Sequence, residues 1–378
     1  MKNIIPFLYL TLVSLLSCQY ENVLTSKQNV SESNGSVVLI KASIKIAVGG
    51  IIYENIDGHI KIIGYDSKNT LKWSKDYDLT GPLDTLEVQN GYHHYDIELV
   101  DKWGVNDSQT EISAKDIWDG RADGPLSTTY VFGGAIKAKK LLSYVTSMEV
   151  NDANSGKVYQ PQSRESFTYD GDLIQYIHHE TYNLQTLQFE ETSLDALSYN
   201  GKKVSKIVTT LNGQPYAEYR YEYGVVNKIF ETLHFDNDLV WTVTFTNNYD
   251  SSKVSVDYSL SNGNSFSYGF DVSYKNIVSD KTIQSSQVCN QGNYTYDKNI
   301  NPFRHLGYVD FNLQNWSANN KLTEHVDYLA CGFPSLIPLA SIYTYDQDGY
   351  PIKKITKYKS GGNQNSAYHT SVDFTYEK

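Results

Sequence analysis

The feature that most constrains this chain is a short pattern, aromatic-Thr-Tyr-acid, that recurs through its C-terminal half. It stands at Phe167-Thr168-Tyr169-Asp170, Tyr294-Thr295-Tyr296-Asp297, Tyr343-Thr344-Tyr345-Asp346 and Phe374-Thr375-Tyr376-Glu377. Looser copies are Leu197-Ser198-Tyr199-Asn200 and Tyr219-Arg220-Tyr221-Glu222. The fullest unit, Ile342–Tyr358, reads as a β-hairpin. Its two tyrosines alternate with Ile342 and Thr344 and so share one strand face. Asp346-Gln347-Asp348-Gly349 supplies a turn, because aspartate bonds the backbone two residues on and glycine takes positive φ. Pro351 has no N–H and limits how the return strand pairs. Ile352 and Ile355 supply that strand's apolar residues. Elsewhere the acid is followed four and seven residues on by Ile174 and Ile177, Val204 and Ile207, or Val226 and Ile229. In a strand, a spacing of three puts two residues on opposite faces. The return strand is therefore either covered on both faces or bulged.

Tyr343-Thr344-Tyr345-Asp346-Gln347-Asp348-Gly349 resembles the YD repeats of the Rhs family, with Tyr350-Pro351 where that family has Arg-Leu. The order of a strand ending in Tyr-Asp, then Asn301-Pro302-Phe303, then Asp348-Gly349-Tyr350-Pro351 is more similar to outer-membrane lipoproteins with degenerate YD-type hairpins. This resemblance runs from about Lys140 to Lys378 and implies a fold, not a reaction.

Residues 1–18 read as a lipoprotein signal peptide. Lys2 precedes an apolar run from Ile4 to Leu16, and Leu15-Leu16-Ser17-Cys18 fits a lipobox. The run is too short to span a bilayer. Lipidation of Cys18 implies membrane attachment, and Gln19, rather than Asp, after it favours the outer membrane. Residues 19–35 are polar and aperiodic, a flexible tether.

Residues 36–125 read as a small β-domain with strands at Val37–Val48, Ile60–Tyr65, Leu83–Val88, Tyr95–Val100 and Gln109–Ile112. Tyr95 entering a late strand, and a Gly turn after it, resemble the last hairpin of fibronectin type III and immunoglobulin-like sandwiches. Trp73 is a candidate core residue of that sandwich. Residues 126–378 read as a Tyr-rich antiparallel meander sheet of YD-type hairpins, with Gln287–Ser341 longer and irregular. The expected fold is thus all-β, an immunoglobulin-like sandwich followed by a meander.

The chain has 32 Tyr against 13 Phe and 2 Met, a choice suited to surfaces that are half buried and half wet. A formal net charge of −11 argues against nucleic acid as a partner. Cys289 and Cys331 form an even pair in an oxidising setting, either bridged or two separate thiols.

The sequence points to no catalytic residue, metal or cofactor. His93-His94 and His178-His179 place adjacent histidines on opposite faces of a strand, and His178 with Glu180 has no evident third ligand. The Asp346 loop lacks the closing Glu of an EF-hand; Lys357 stands there. No nucleophile elbow, zinc-protease, P-loop or dinucleotide motif is present. The paired aromatics Tyr219 and Tyr221, Tyr294 and Tyr296, and Tyr343 and Tyr345 have two readings. They are cross-strand packing, or a platform for the apolar faces of sugar rings. The function classes that follow are a non-catalytic envelope lipoprotein binding glycan or another extracellular ligand, and a structural or adhesive surface module.

Overall fold

The computed structural model describes residues 37–378 apart from 55–57, 80–83, 90–91, 93, 100–109, 112–126, 153–155, 225–226, 235–238, 246–251, 262, 264, 285–286, 308–316, 329–336 and 360–366. The signal peptide with Cys18, the tether and Cys331 lie outside the described residues.

The first unit comprises β1 (Val37–Val48), β2 (Ile51–Tyr53), β3 (Gly58–Tyr65), β4 (Leu71–Leu79), β5 (Asp84–Gln89), β6 (His94–Leu99), β7 (Thr110–Glu111) and β8 (Ser127–Ile136). Two sheets form. In one, β1 pairs antiparallel with β2 and β5 and parallel with β8; the other has the order β4-β3-β6-β7. Both contribute to one core, Ile46, Val48, Leu86 and Val88 from the first sheet and Ile60, Ile62, Tyr95 and Ile97 from the second. The expected immunoglobulin-like sandwich is corrected on topology. In that fold, strands one, two, four and five in chain order share a sheet. Here β4 lies in the opposite sheet, and an eighth strand pairs parallel with β1. The Tyr95 hydroxyl donates to the Gln89 carbonyl at 2.6 Å, fixing the entry into β6.

The second unit is not an open meander. It is a closed barrel of sixteen antiparallel strands, β9 to β24, in which the first and last strands pair. They are β9 (Leu141–Asp152), β10 (Gly156–Asp170), β11 (Leu173–Asn183), β12 (Gln188–Asn200), β13 (Lys203–Leu211), β14 (Gln214–Glu222), β15 (Asn227–Leu233) and β16 (Leu239–Phe245). They continue as β17 (Lys253–Leu260), β18 (Ser265–Ser273), β19 (Asn276–Gln284), β20 (Gln287–Ile300), β21 (Asn319–Tyr328), β22 (Ile337–Tyr345), β23 (Pro351–Lys359) and β24 (Ala367–Tyr376). The stretch expected to be irregular, Gln287–Ser341, contains β20, β21 and the start of β22.

The register answers the question left by the apolar spacing: the return strands are bulged. Opposite Tyr169 the pairing skips Gln175, so that Phe167 faces Ile177 and Tyr169 faces Ile174 on the same side. The same skip falls at Ser205 opposite Tyr199, at Leu322 opposite Tyr296, at Ile352 opposite Tyr345 and at Leu142 opposite Tyr376. One extra residue turns a spacing of three into two inward positions. In the Tyr219–Glu222 copy the register differs by two: Tyr221 faces Ile229, the place that Phe167 holds opposite Ile177.

The bulge has a price in unpaired backbone that the tyrosines meet. The ladder between β11 and β12 stops at Tyr176, and the Tyr199 hydroxyl donates to the carbonyl of Ile174, two residues beyond it. The β9–β10 ladder stops at Ser143, and Tyr169 donates to Leu141. Tyr223 serves Val204, Tyr296 serves Ile277 and Tyr376 serves Pro351, each two residues past the end of its ladder. Buried carbonyls need a donor. A phenylalanine would fill the space and leave these carbonyls without one, which accounts for the preference for tyrosine over phenylalanine.

The inward face carries a core of Phe167, Ile174, Ile177, Val204, Ile207, Ile229, Val256 and Phe374. The outward face is polar at mid-strand. Arg164 bonds Glu180 at 2.6 Å, Lys206 pairs with Glu218 at 2.8 Å, His178 with Glu191 at 2.6 Å and Lys353 with Asp373 at 3.4 Å. A membrane barrel carries an apolar band there, and each charge facing lipid near the midplane costs about 2–4 kcal/mol. This wall is built for water. Among the described residues, no helix is long and apolar enough to cross a membrane.

A barrel of this strand number is wide enough for an aqueous lumen. Here the connection after β20 folds inward instead. Asn301 caps a short 3-10 helix, Pro302–Leu306, by accepting from the Phe303 N–H at 3.1 Å. Phe303 then reaches across the barrel to stack edge-on against Tyr144 of β9 and against Phe374 of β24.

The first unit docks on this end of the barrel. Ile300, Ala318 and Tyr350 belong to its core, and the Tyr53 hydroxyl meets His305 Nε2 at 2.7 Å. Gly49, at φ +56°, passes so close to Ala138 and His305 that a side chain there would collide. Lys139, just before β9, sits on the β22–β23 turn. Its ammonium bonds Asp346 at 2.7 Å and Asp348, and its N–H donates to the Tyr350 hydroxyl at 3.1 Å. Asp346 itself accepts from the N–H groups of Asp348 and Tyr350, as the turn chemistry predicts.

Candidate functional site

A cavity of about 170 Å³ lies inside the barrel, between β18 and β24 and beside the inward-folded connection. Its apolar lining is Phe270, Ile277, Phe303 and Phe374; its tyrosines are Tyr294, Tyr296 and Tyr343. Asn301, Ser317, Asn319 and Asn320 form a polar edge. The charged lining is Asp280, Lys321 and Lys354, with Glu324 beside Lys321.

These charges occupy a defined place in the repeat. Ile177, Ile207 and Ile229 stand opposite the inward residues Phe167, Leu197 and Tyr221. In three later hairpins the equivalent position is Asp280, opposite Phe270; Glu324, opposite Tyr294; and Lys354, opposite Tyr343. Core isoleucines have been replaced by ionisable groups along one arc of the wall, and the cavity lies there. The expectation that Ile352 and Ile355 are the apolar inward residues of the last hairpin is corrected by the bulge. The inward positions are Pro351 and Lys354, and Ile352 is exposed.

The polar edge is rigid. Asn276 and Asn319 exchange two hydrogen bonds, at 2.8 and 2.9 Å. Ser317 accepts from the Ile277 N–H at 3.1 Å and donates to the Tyr296 hydroxyl at 3.0 Å. Asn320 donates to the Ile300 carbonyl and to Asp297. Asp297 also accepts from the Tyr345 hydroxyl; burial pushes its pKa up against these bonds.

Burial likewise raises Asp280, opposed by hydrogen bonds from the Tyr294 hydroxyl and the Gly292 N–H. Asp280 and Tyr294 fill the space where a side chain at Gly292 would go. Lys321 bonds Glu324 at 2.8 Å and lies 4.4 Å from the centre of the Tyr294 ring. Lys354 is pushed down to about 8, by burial first and by Lys321 second. Its ammonium lies 5.7 Å from the Tyr343 ring centre. Among the described residues it makes neither a hydrogen bond nor an ion pair.

The six tyrosines singled out in the sequence all face the barrel interior, so they form no exposed ladder. Tyr294, Tyr296 and Tyr343 line the cavity, and Tyr345 stacks on Tyr343 with ring centres 5.9 Å apart. Tyr219 and Tyr221 lie elsewhere on the wall. Tyr219 donates to Glu231 at 3.0 Å, and Tyr221 is in the apolar core. Near them His179 sits between Asp195, at 3.0 Å, and Glu165, at 3.6 Å. Burial opposes its charge, but the two carboxylates outweigh burial and raise its pKa to about 10. His178 and Glu180 are on the outer face, engaged by Glu191 and Arg164. Among the described residues, no group of three His, Cys, Asp or Glu side chains is placed to hold a metal ion. Cys289 is disulfide-bonded. The sequence reading missed Asp280, Glu324 and Lys354; the signal was present, as charge at the repeat position where other hairpins carry isoleucine.

Fold and site together define a water-facing closed barrel with a small, charged and aromatic interior cavity. Two solved structures are similar to it over part of the chain. One is a porin-like protein from Bacteroides uniformis, with 11% sequence identity and a TM-score of 0.42, covering 64% of this chain and 99% of that one. The other is a porin-like protein from Bacteroides vulgatus, with 12% identity and a TM-score of 0.31 over the same shares of the two chains. No family model matches the chain, and no curated protein matches it. The resemblance to YD-repeat proteins therefore has no support from a family match.

Proposed function

We propose that the protein is a non-catalytic envelope protein, anchored to the outer membrane through lipidated Cys18, that binds a small glycan unit inside its barrel. The cavity carries this reading. It offers aromatic surface from Tyr294, Tyr343 and Phe303 beside fixed amide groups of Asn301 and Asn320. Aromatic faces suit the apolar faces of a sugar ring, and amides suit its hydroxyls. A volume of about 170 Å³ suits one monosaccharide rather than a chain. The ion pairs on the outer wall support attachment by lipid, because charges there would face hydrocarbon if the barrel were inserted in a bilayer. The two-sheet unit is then a spacer between tether and barrel. Calorimetric titration of the full chain, purified in detergent, with a panel of monosaccharides tests the binding reading. A saturable heat that is lost on Phe303→Ala supports it; no saturable heat from any sugar counts against it.

The structural reading has its own observation. The hydroxyls of Tyr169, Tyr199 and Tyr376 serve the backbone, so those rings hold the wall together. The two roles meet at Tyr296 and Tyr343, which line the cavity and also donate to the Ile277 and Lys321 carbonyls.

A further inference from the structure

Of the charged groups around the cavity, Glu324, Lys321, Asp280 and Asp297 have bonded partners in the protein. Glu324 accepts from Lys321, Asp280 accepts from Tyr294 and Gly292, and Asp297 accepts from Tyr345 and Asn320. Lys354 stands apart: it faces the cavity beside the Tyr343 ring, among the described residues it has no hydrogen bond or ion pair, and the Glu324 carboxylate, which is bonded to Lys321, favours its charge less than burial and Lys321 oppose it. A cation withdrawn from water without a bonded counter-charge is costly, and that cost falls when an anion pairs with it. Replacing this lysine by the isoleucine of the other hairpins would remove the cost at once.

Resting on the glycan reading above, we infer that the cavity selects a monosaccharide-sized ring bearing one carboxylate, with Lys354 as the group that pairs with it. The geometry suits such a ligand. Tyr343, the cross-strand partner of Lys354, offers its ring to the sugar face. At the polar edge, the Asn320 amide hydrogens are bonded to Asp297 and the Ile300 carbonyl, and its Oδ1 is the atom that accepts from a sugar hydroxyl. Lys321 adds positive potential but is already bonded to Glu324, so it steers the ligand rather than anchors it. The carboxylates of Asp280 and Glu324 limit the site to a single negative charge, since a second one would face them without a partner. A neutral sugar would fit by shape and leave Lys354 uncompensated.

The test uses D-glucuronate and D-glucose as probes of the full chain in detergent, with Lys354→Met and, as the control on the outer wall, Lys353→Met. Glucuronate is expected to bind at least tenfold more tightly than glucose. Lys354→Met should remove that preference, and Lys353→Met should keep it. Without any sugar, Lys354→Met should melt at a higher temperature than the native protein, because an unpaired buried cation has been removed. Glucuronate affinity should also fall as pH rises through about 8, where Lys354 loses its proton. Equal affinity for the two sugars, unaltered by Lys354→Met, would overturn the inference and leave the glycan reading standing. Absence of binding by both would overturn the two together. A Lys354→Met protein that melts lower than the native one would show that Lys354 already has its counter-charge, and that too would overturn the inference.

Discussion

Tyr199→Phe isolates the role assigned to the recurring tyrosine hydroxyl. The substitution keeps the ring, its volume and its packing against the core. It removes one atom, the oxygen 2.7 Å from the Ile174 carbonyl. That carbonyl lies past the last β11–β12 pair, at Tyr176, so no strand amide replaces the lost donor. Leaving a buried acceptor unsatisfied costs about 1–3 kcal/mol. The comparison is Tyr274→Phe, whose ring is 45% exposed at the β18–β19 turn and which should change stability by less than about 0.5 kcal/mol. Urea denaturation followed by tyrosine fluorescence gives both values, with the slope of the transition expected to stay the same. Tyr296→Phe tests the same device at another hairpin, where the hydroxyl donates to Ile277 at 2.5 Å. Combined with Tyr199→Phe, its cost should add to within about 0.5 kcal/mol, because the two sites share no partner. A Tyr199→Phe protein as stable as the native one would refute the argument that these hydroxyls close the bulged ladders. The abundance of tyrosine would then need another cause.

Tyr345→Ala should cost about 2–4 kcal/mol as a large-to-small change in a packed wall, whereas the outward Thr344→Ala should stay within about 1 kcal/mol; paired denaturant melts separate them. His305 is held near 4, against an ordinary value of 6.5, by burial and then by Arg304. Its neutral form is the folded one, so its contribution is complete above pH 6.5 and disappears as pH falls toward 4, about 3 kcal/mol in all. His305→Gln should therefore flatten the acid limb of the stability curve, and equal acid sensitivity in the variant would exclude His305 as a cause. Cys18→Ala should leave the protein unprocessed or release it from membranes; unchanged outer-membrane fractionation would refute lipid anchoring. Cys289 and Cys331 are expected to be joined, and thiol counting on denatured, unreduced protein would find two free thiols if they are not.

The strands were legible because their signal is local. Val37–Val48 is read with the limits of β1, and Ile60–Tyr65, Leu83–Val88 and Tyr95–Val100 match β3, β5 and β6 to within two residues. The β4 strand, LKWSKDYDL, was missed because its apolar residues are sparse and several side chains are exposed. Closure was not legible. Pairing β9 with β24 joins Tyr144 to Phe374, and neither neighbourhood carries a mark that names the other. The cavity lay in between. Its residues were visible as departures from a repeat, but only the bulge register shows that Lys354, and not Ile352, points inward. The platform tyrosines were chosen by face correctly as pairs, yet a strand pattern cannot say whether a shared face looks out of a sheet or into a barrel.

The pairing of β9 with β24 also sets an order of events. Every other step around the barrel joins neighbours in the chain, most of them across a short connection of small entropic expense, the longest being residues 301–318 between β20 and β21. The seam instead joins residues near 145 to residues near 373, so it has to wait for everything between them. Until then both flanking strands expose an unpaired edge, the state most open to joining another chain. Phe303, which packs on both sides of that seam, acts as a clasp: it belongs to a segment near β20, and it reaches Tyr144 and Phe374 only when the two edges have met. Loosening the clasp should therefore slow closure and hasten opening at one place on the circumference, while the neighbour-to-neighbour hairpins elsewhere stay formed.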